Sequence, residues 1–570
     1  NPDTPTFVTP FEATRQRVVS IPTMTPAHLT HVLSANTVWE ARVGRFVYDE
    51  DRTPSTGDWA RASHQDRVTN VTTGAPPQIG SLTLIRTTGK ATIGHYRSGL
   101  LGADHHWRMG AQVERGEQDG ANIVPTGVRF VDDGRLPVQS ISSAPSNVGG
   151  MFVTGGWFVS DAITAGNHFT VNAGLRFDHS RAISQDLPVV DPSGHETDTI
   201  VQGLGTVFTW NEWSPRLGVT AKLTSDGQTM LRGSYGRFTQ GVFTGELTPF
   251  HPGSTTTTTR AFEAATGDYT RLLKTSDARI NLRLDPDIQA PRTHEYSLAL
   301  DREVRRGVGV SITYVHKRGS QFIGWTDIGG QYVRAVRTLA DGRSLPVLVL
   351  SNSLNDQRFL LTNPDGYSLL YNGMVVGLQK RHSHGWHASG SYTFSKASGL
   401  QASSGELASG AQASTIATPT RLFGRDPNDL TNARGRLPND RPHVIRMTGS
   451  IDVRHLGVVV TASLQLFSGK PWAATTQMDL QQLDQRILLE PRGSRRLSSQ
   501  SLLDLRLSKT FTVAAARIDL LLDILNALND TAEEALATDN LFSPNFGQPT
   551  LFMDPRRAML GIRLNLNHRR

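Results

Sequence analysis

Two histidine groups and one acidic stretch come nearest to a metal site in this 570-residue sequence. His105-His106 is an adjacent pair, and His382-Ser383-His384-Gly385-Trp386-His387 gathers three imidazoles. Zinc draws its ligands from such clusters. Adjacent residues on a strand point to opposite faces, however, so His105 and His106 do not share an ion. The second group has the composition of a hairpin turn. Asp426-Pro427-Asn428-Asp429, with Asp440 beyond it, offers oxygen ligands for calcium but lacks the EF-hand spacing. There is no cysteine, which removes disulfides, thiolate metal sites and cysteine nucleophiles. H-E-x-x-H, G-x-x-x-x-G-K-[ST] and G-x-S-x-G are missing. No two carboxylates are placed for acid–base work. The expectation is a protein that is no enzyme, with no catalytic, metal-binding or cofactor-binding residue.

The charged residues with informative spacing are those that alternate with aliphatic ones. In Ser501 to Leu525, Leu503, Leu505 and Leu507 take one parity while Asp504, Arg506 and Ser508 take the other. Ile518, Leu520, Leu522 and Ile524 likewise face Arg517, Asp519, Leu521 and Asp523. A period of two predicts strands with one apolar and one charged face. Each run has about ten residues, near the roughly nine to eleven that a tilted membrane strand needs. A turn around Thr512 to Ala515 joins them. A polar parity inside and an apolar parity outside is the pattern of a transmembrane β-barrel. Arg or Lys on the lipid face at midplane costs about 2–4 kcal/mol, so charged residues belong in the lumen. The lumen-facing candidates are Arg108, Glu114, Arg176, Asp178, Arg232, Glu295, Arg381, Asp504, Arg506, Asp519 and Asp523. Most of them are expected to pair across the wall, and some to contact a ligand or a plug.

Composition agrees. Hydrophobic residues make up 37% of the chain, and no stretch approaches the roughly 18 apolar residues of a membrane helix. Barrels are not excluded, because their apolar residues are diluted by alternation. The net charge is +7. That charge suits anionic partners such as nucleic acid or lipid A phosphates. The arginines are scattered with no run of five or six, so nucleic acid is not the expected partner. The first ten residues, NPDTPTFVTP, carry no basic or apolar region of a signal peptide and look like an internal starting point.

Read in order, the chain predicts about 17 strands of an antiparallel barrel. The first is Phe11 to Val19 and the last Arg557 to Leu566. Short turns such as Thr224-Ser225-Asp226-Gly227 and Arg305-Arg306-Gly307 alternate with long polar segments. These segments are 49–88, 116–148, 239–290, 318–370, 397–440, 468–499 and 526–556, and they are expected to be extracellular loops. Trp386, Phe394, Tyr235, Phe238 and Tyr314 lie near strand ends, where interfacial girdles form. An odd count with the last strand running to the periplasm is what an N-terminally truncated barrel would show.

WSPRLGVTAKLTSDGQTMLRGSYGRF (213–238), APRTHEYSLALDREVRRGVGVSITYVHKRG (290–319) and YNGMVVGLQKRHSHGWHASGSYTFSKASG (371–399) resemble the barrel of TonB-dependent outer-membrane receptors. So do DRPHVIRMTGSI (440–451), FSGKPW (467–472), LLDLRLSKTF with LLLDILNALND (502–530) and FGQPTLFMDPRRAMLGIRL (546–564). The nearest subgroup is the Oar-like receptors, which carry a carboxypeptidase-regulatory-like domain. The resemblance implies an all-β fold: a large antiparallel transmembrane β-barrel of about 22 strands in the family, with the N-terminal strands and plug absent from this chain. It implies a bacterial outer-membrane location, an unknown ligand, a plug domain, outer-membrane lipid as surroundings, and the TonB–ExbB–ExbD system acting through the absent N-terminal region. It also implies import of a scarce nutrient to the periplasm. The alternative is an Oar-like surface protein with an adhesion or secretion role and no uptake. A soluble all-β enzyme or carbohydrate-binding protein would need charges on both faces of many strands. Family members often end in an aromatic residue, whereas this chain ends in Asn567-His568-Arg569-Arg570.

Overall fold

The computed structural model describes residues 3–242, 248–400, 423–513 and 516–566. Its main sheet has 19 strands. Two are short pieces, Arg15–Val19 and Gly435–Arg436. The other 17 are, in chain order, β1 (Thr23–Ser34), β2 (Thr37–Pro54), β3 (Ile79–Leu100), β4 (Ala103–Ile123), β5 (Ser146–Ala165), β6 (Phe169–Ser184), β7 (Gly205–Lys222), β8 (Thr229–Thr239), β9 (Arg292–Arg305), β10 (Val308–Ser320), β11 (Ser368–Ser383), β12 (Trp386–Leu400), β13 (His443–Val453), β14 (Val458–Phe467), β15 (Gln500–Val513), β16 (Ala516–Leu525) and β17 (Arg557–Leu566). Each pairs antiparallel with the next, and among the described residues the pairings end at β1 and β17.

One end of the sheet is made of tight turns. His384 and Gly385 have φ values of +57° and +78°, so both central residues of the β11–β12 hairpin are left-handed. That geometry matches the twist of the flanking strands, and Gly adopts it without strain. The second histidine group is thus a hairpin tip, as its composition predicted. Residues 514–515 of the expected turn after Thr512 lie outside the described residues. So do 243–247 and 401–422 of the expected loops, and the terminal residues 567–570.

Cross-strand register fixes the two faces. Arg108 on β4 lies opposite Ser160 on β5, and Arg176 on β6 opposite Ser214 on β7. The same face continues through Thr220 and Arg232, Glu295 and Lys317, and Ser463 and Asp504 to Arg506 and Asp523. The opposite face carries Trp157, Leu217, Leu298, Ile312, Met374, Met447, Leu507 and Leu520, every one exposed. On β17 Leu560 is 86% and Ile562 76% exposed. An open apolar surface of this extent does not face water in a soluble monomer. It speaks against the soluble all-β alternative, which needed charges on both faces. The buried apolar clusters lie toward the other end, among the long connections.

Aromatic side chains bracket the apolar face. Toward the long connections stand Trp157, Phe177 and Trp213 in mutual contact, then Tyr235 with Tyr296, and Phe394 with His443. Toward the turns stand Phe169 and Trp386. Phe169 to Phe177, and Trp386 to Phe394, are eight residues apart. That is about 26 Å along a strand and about 20 Å along the normal at the tilt of membrane barrels. Of the expected girdle residues, Phe238 is the exception: its parity puts it on the polar face, with the Arg216 guanidinium 5.0 Å from the ring centre.

Several boundaries differ from expectation. β1 was not predicted. Its sequence, TMTPAHLTHVLS, does not alternate strictly and contains Pro26. Among the described residues β1 pairs on one side alone, which leaves that proline without a ladder bond to lose. The strand expected at Phe11 to Val19 is a single 3-10 turn followed by a short piece paired with the far end of β2. The expected loops 49–88 and 116–148 are each shortened from both sides, by β2, β3, β4 and β5. β3 and β4 have 22 and 21 residues, about twice what the hydrocarbon layer needs. Their far halves pair with one another beyond the apolar band, where no alternation is demanded. Between β6 and β7 an unpredicted hairpin joins Leu187–Val190 to Glu196–Val201.

Candidate functional site

The eleven lumen candidates share the polar face, and most are paired there. Arg506 donates to both oxygens of Asp523, at 2.5 and 2.8 Å. Arg176 grips Asp178 at 2.6 Å through both nitrogens, and Arg232 holds Asp301 at 2.6 and 3.0 Å. Asp519 accepts from Thr510 at 2.7 Å and from Arg517 at 3.1 Å. Arg86 meets Glu114 at 2.5 Å, Lys317 meets Glu295 at 2.7 Å, and Arg108 approaches Glu40 at 4.0 Å. Asp504 accepts the backbone N–H of Asn526 at 2.9 Å. Arg381 stands at the turn end, with no carboxylate partner among the described residues. Cationic and anionic side chains thus neutralise one another along the wall. Such half-exposed pairs contribute little to stability, typically under about 1 kcal/mol each. They leave few charges free for a ligand.

The long connections do otherwise. Gly324–Asp327, Phe359–Thr362 and Leu282–Leu284 form a three-stranded sheet. Trp325 on it is 2% exposed and stacks on Phe250, ring centres 5.5 Å apart. The guanidinium of Arg425 lies 4.2 Å from the Trp325 ring centre and 4.8 Å from that of Phe359. Lys274 approaches Phe359 from another segment, 5.5 Å away, and donates to Gln357 at 2.9 Å. Next to this cage Phe423 contacts Tyr367, and Arg492, 2% exposed, sits 5.5 Å from the Phe423 ring centre. Gly424 permits the close approach. Its φ is +93°, and a Cβ there would lie 2.3 Å from the Trp325 carbonyl oxygen and 2.9 Å from the Tyr367 hydroxyl.

Five donors in this cluster have no hydrogen-bond partner among the described residues: Arg425 Nε, Arg492 Nε and Nη1, Trp325 Nε1 and the Tyr367 hydroxyl. Burial pulls both guanidinium pKa values down, because no carboxylate offsets the lost hydration. Burial also lowers Lys274, to about 8, with Arg425 adding repulsion and Asp327 opposing it. Buried unpartnered donors are rare in folded proteins. Sequence reasoning missed all four residues, since Trp325, Tyr367, Arg425 and Arg492 come from separate segments of the long connections with no shared period.

The family described as outer membrane beta barrel domain matches residues 136–457, more than half of the chain. The chain belongs to that family. Its fold is a large antiparallel barrel of the bacterial outer membrane, with the open apolar face toward lipid. Among solved structures it is similar to the outer membrane transporter YddB from Escherichia coli, at 12% identity and a TM-score of 0.56 over 96% of this chain and 63% of that one. It is similar to the ferric-catecholate import receptor Fiu from K12 E. coli, at 11% identity and 0.54 over 96% and 64%. The siderophore receptor PiuA from Acinetobacter baumannii follows at 11% and 0.52 over 95% and 64%. This outer-membrane barrel chain therefore spans less than two thirds of the length of these structures, and the likeness is one of fold. No curated protein matches its sequence.

The groups first considered for metal binding take structural roles in the barrel. His105 pairs with Asp161 at 2.7 Å and stacks beside Trp107 on the apolar face, while His106 lies on the other face. Asp426 caps a short 3-10 turn through the N–H of Asn428 at 2.8 Å, and Asp429 accepts from Gly424 at 3.0 Å. Asp440 is taken by two arginines. No group of three metal-ligating side chains gathers among the described residues.

Proposed function

We propose that this chain is the barrel portion of an import receptor of the TonB-dependent kind, with its turns in the periplasm and its long connections outside. On this reading a scarce nutrient binds at the outer end and passes through the lumen to the periplasm. A plug domain and the TonB–ExbB–ExbD system would be its partners. The subgroup we favour is the Oar-like one, on the residue runs quoted above. One observation carries the proposal: the wall pairs its charges, while the loop end buries cations beside aromatic rings and leaves their donors open. A purely mechanical anchor has no need of such a cluster. Solved structures of similar fold include an outer membrane transporter, an import receptor and a siderophore receptor, which agrees with uptake.

The test is nutrient uptake by a strain lacking the whole receptor, compared with its parent and with a strain carrying Arg425→Met and Arg492→Met. Loss of uptake of one nutrient in the deletion and the double variant supports the reading. A deletion strain that takes up every scarce nutrient normally, but loses surface attachment or secretion, overturns it.

A further inference from the structure

The connection between β10 and β11 carries a hairpin whose two edges are finished in opposite ways. Tyr332–Thr338 pairs antiparallel with Ser344–Leu350. Leu339 donates to the Arg343 carbonyl at 2.8 Å, and Ser351 to the Gln331 carbonyl at 2.7 Å, so the odd-numbered residues exchange the ladder bonds. In an antiparallel pair the residues between them turn N–H and C=O outward, to the two edges. On the first strand these include Arg334, Val336 and Thr338, and on the second Pro346, Leu348 and Leu350. The second edge is closed by side chains. Asn428 accepts from the Leu348 N–H at 2.8 Å and donates to the Leu348 carbonyl at 2.7 Å, as a neighbouring strand would. Gln482 accepts from the Leu350 N–H at 2.9 Å and donates to the Leu348 carbonyl at 2.7 Å. Pro346 has no N–H to satisfy.

The first edge has no such cover. Among the described residues no partner meets the outward backbone groups of Arg334, Val336 or Thr338. The edge is nevertheless held in place. Leu345, Val347, Ala335 and Val349 pack with Leu480 and Ile487 of the connection 468–499. Beside the open edge Val333 is 51% and Val336 62% exposed. Arg334 and Arg337 are exposed as well, with no ion pair among the described residues. The one carboxylate of the hairpin, Asp341 in its turn, is taken by Arg343 at 2.7 Å.

We propose that the Tyr332–Thr338 edge binds an extended acidic segment of a separate protein, which adds to the hairpin as a third strand. The incoming backbone pairs with the outward groups of Arg334, Val336 and Thr338. Its β-branched side chains lie against the two valines, and its carboxylates lie opposite the two arginines. Charge selects this occupant over a second copy of the chain. Two copies joined edge to edge would bring four arginines into one small sheet with no carboxylate on either strand, and like charges there repel. Because packing already fixes the edge, binding orders only the incoming segment. The site uses none of the buried donors around Arg425, so it stands or falls apart from the import reading. With the long connections outside, such a partner is met at the cell surface.

The experiment uses the whole receptor in detergent and the fluorescence anisotropy of labelled, end-capped peptides. The first probe is Thr-Asp-Val-Thr-Val-Glu-Thr. The second replaces its Asp and Glu with Lys. Two more are the acidic peptide N-methylated at alternate residues, once in each parity. The wild type is expected to bind the acidic peptide about tenfold more tightly than the lysine one, as two opposite-charge pairs exchanged for like charges would. N-methylation should abolish binding in one parity and leave it in the other, since an added strand turns alternate N–H groups to the edge. Val336→Pro removes an outward N–H without touching the ladder to Ser344–Leu350, and should cost about tenfold. Arg334→Glu with Arg337→Glu changes exposed side chains alone and should reverse the preference, to the lysine peptide. A wild type that binds neither peptide, or both alike, overturns the site. So does equal binding of the two N-methylated peptides, which would mean charge attraction without a strand. A Val336→Pro receptor that binds like the wild type, or a charge-reversed one that still prefers the acidic peptide, overturns it too. Dimerisation of the wild type that Val336→Pro removes would give the edge to a second copy and defeat the acidic partner.

Discussion

Arg496 donates to the carboxylate of Asp440 at 2.5 Å, and that carboxylate has no exposed side-chain surface. Arg436 approaches the same group at 3.3 Å, and the Ala397 N–H donates to it at 2.6 Å. One buried acid thus ties the end of β12, the approach to β13 and the connection 468–499 together. Removing one member of a buried pair strands the other charge, at about 3–5 kcal/mol. Asp440→Ala is expected to lose that much in urea unfolding of the refolded barrel, with protease cuts appearing first in 468–499. Asp440→Asn keeps an acceptor and should lose less.

Adjacent residues should respond oppositely to the same substitution. Ile312 lies on the lipid face and Thr313 on the polar face of β10. Ile312→Arg places a guanidinium near midplane at about 2–4 kcal/mol. Thr313→Arg adds it to a wall that already carries ion pairs and should stay near wild type. Urea titration in lipid vesicles, read by gel migration of heated and unheated samples, separates the two. Equal losses would mean that Ile312 does not face acyl chains.

The parity of Leu503 to Leu507 and of Ile518 to Ile524 made the two faces legible, because lipid on one side and water on the other force a strict period of two. The turn at Asp226-Gly227 was legible for a local reason, since positive φ restricts residue type. β1 was hidden because TMTPAHLTHVLS carries Pro26 and does not alternate strictly. Phe238 misled because an aromatic at a strand end says nothing of parity until register is known. The loop cluster was illegible for a different reason. Trp325, Arg425 and Arg492 meet through tertiary packing of separate segments of the long connections, and their spacing has no period to detect.

Lys274 makes the loop end sensitive to alkali in an unusual direction. Burial lowers its folded pKa to about 8, whereas an unfolded lysine titrates near ~10.4. Below pH 8 both states hold the proton and the cost of burying the charge is constant. Above it the unfolded state binds more protons, so stability rises with pH until the unfolded amine also titrates. Protease resistance of the segment around Lys274 is expected to increase between pH 7 and 9.5. Lys274→Met should be more resistant than wild type at pH 7 and flat across that range.

Arg425 offers the sharpest separation of stability from function. Its guanidinium lies between Trp325 and Phe359, with Nε unpartnered. Methionine keeps an unbranched apolar stem against both rings and removes a charge that nothing among the described residues compensates. Arg425→Met is therefore expected to melt at or above the wild-type temperature, since replacing a poorly paired buried ion is often neutral or favourable. Uptake should nevertheless fall. Gly424→Ala acts in reverse: the residue keeps no charge to lose, but its positive φ and the Trp325 carbonyl leave no room for a Cβ. It should lower both the melting temperature and uptake. If Arg425→Met melts well below wild type, the cation is holding the rings together, and its role at the loop end is structural.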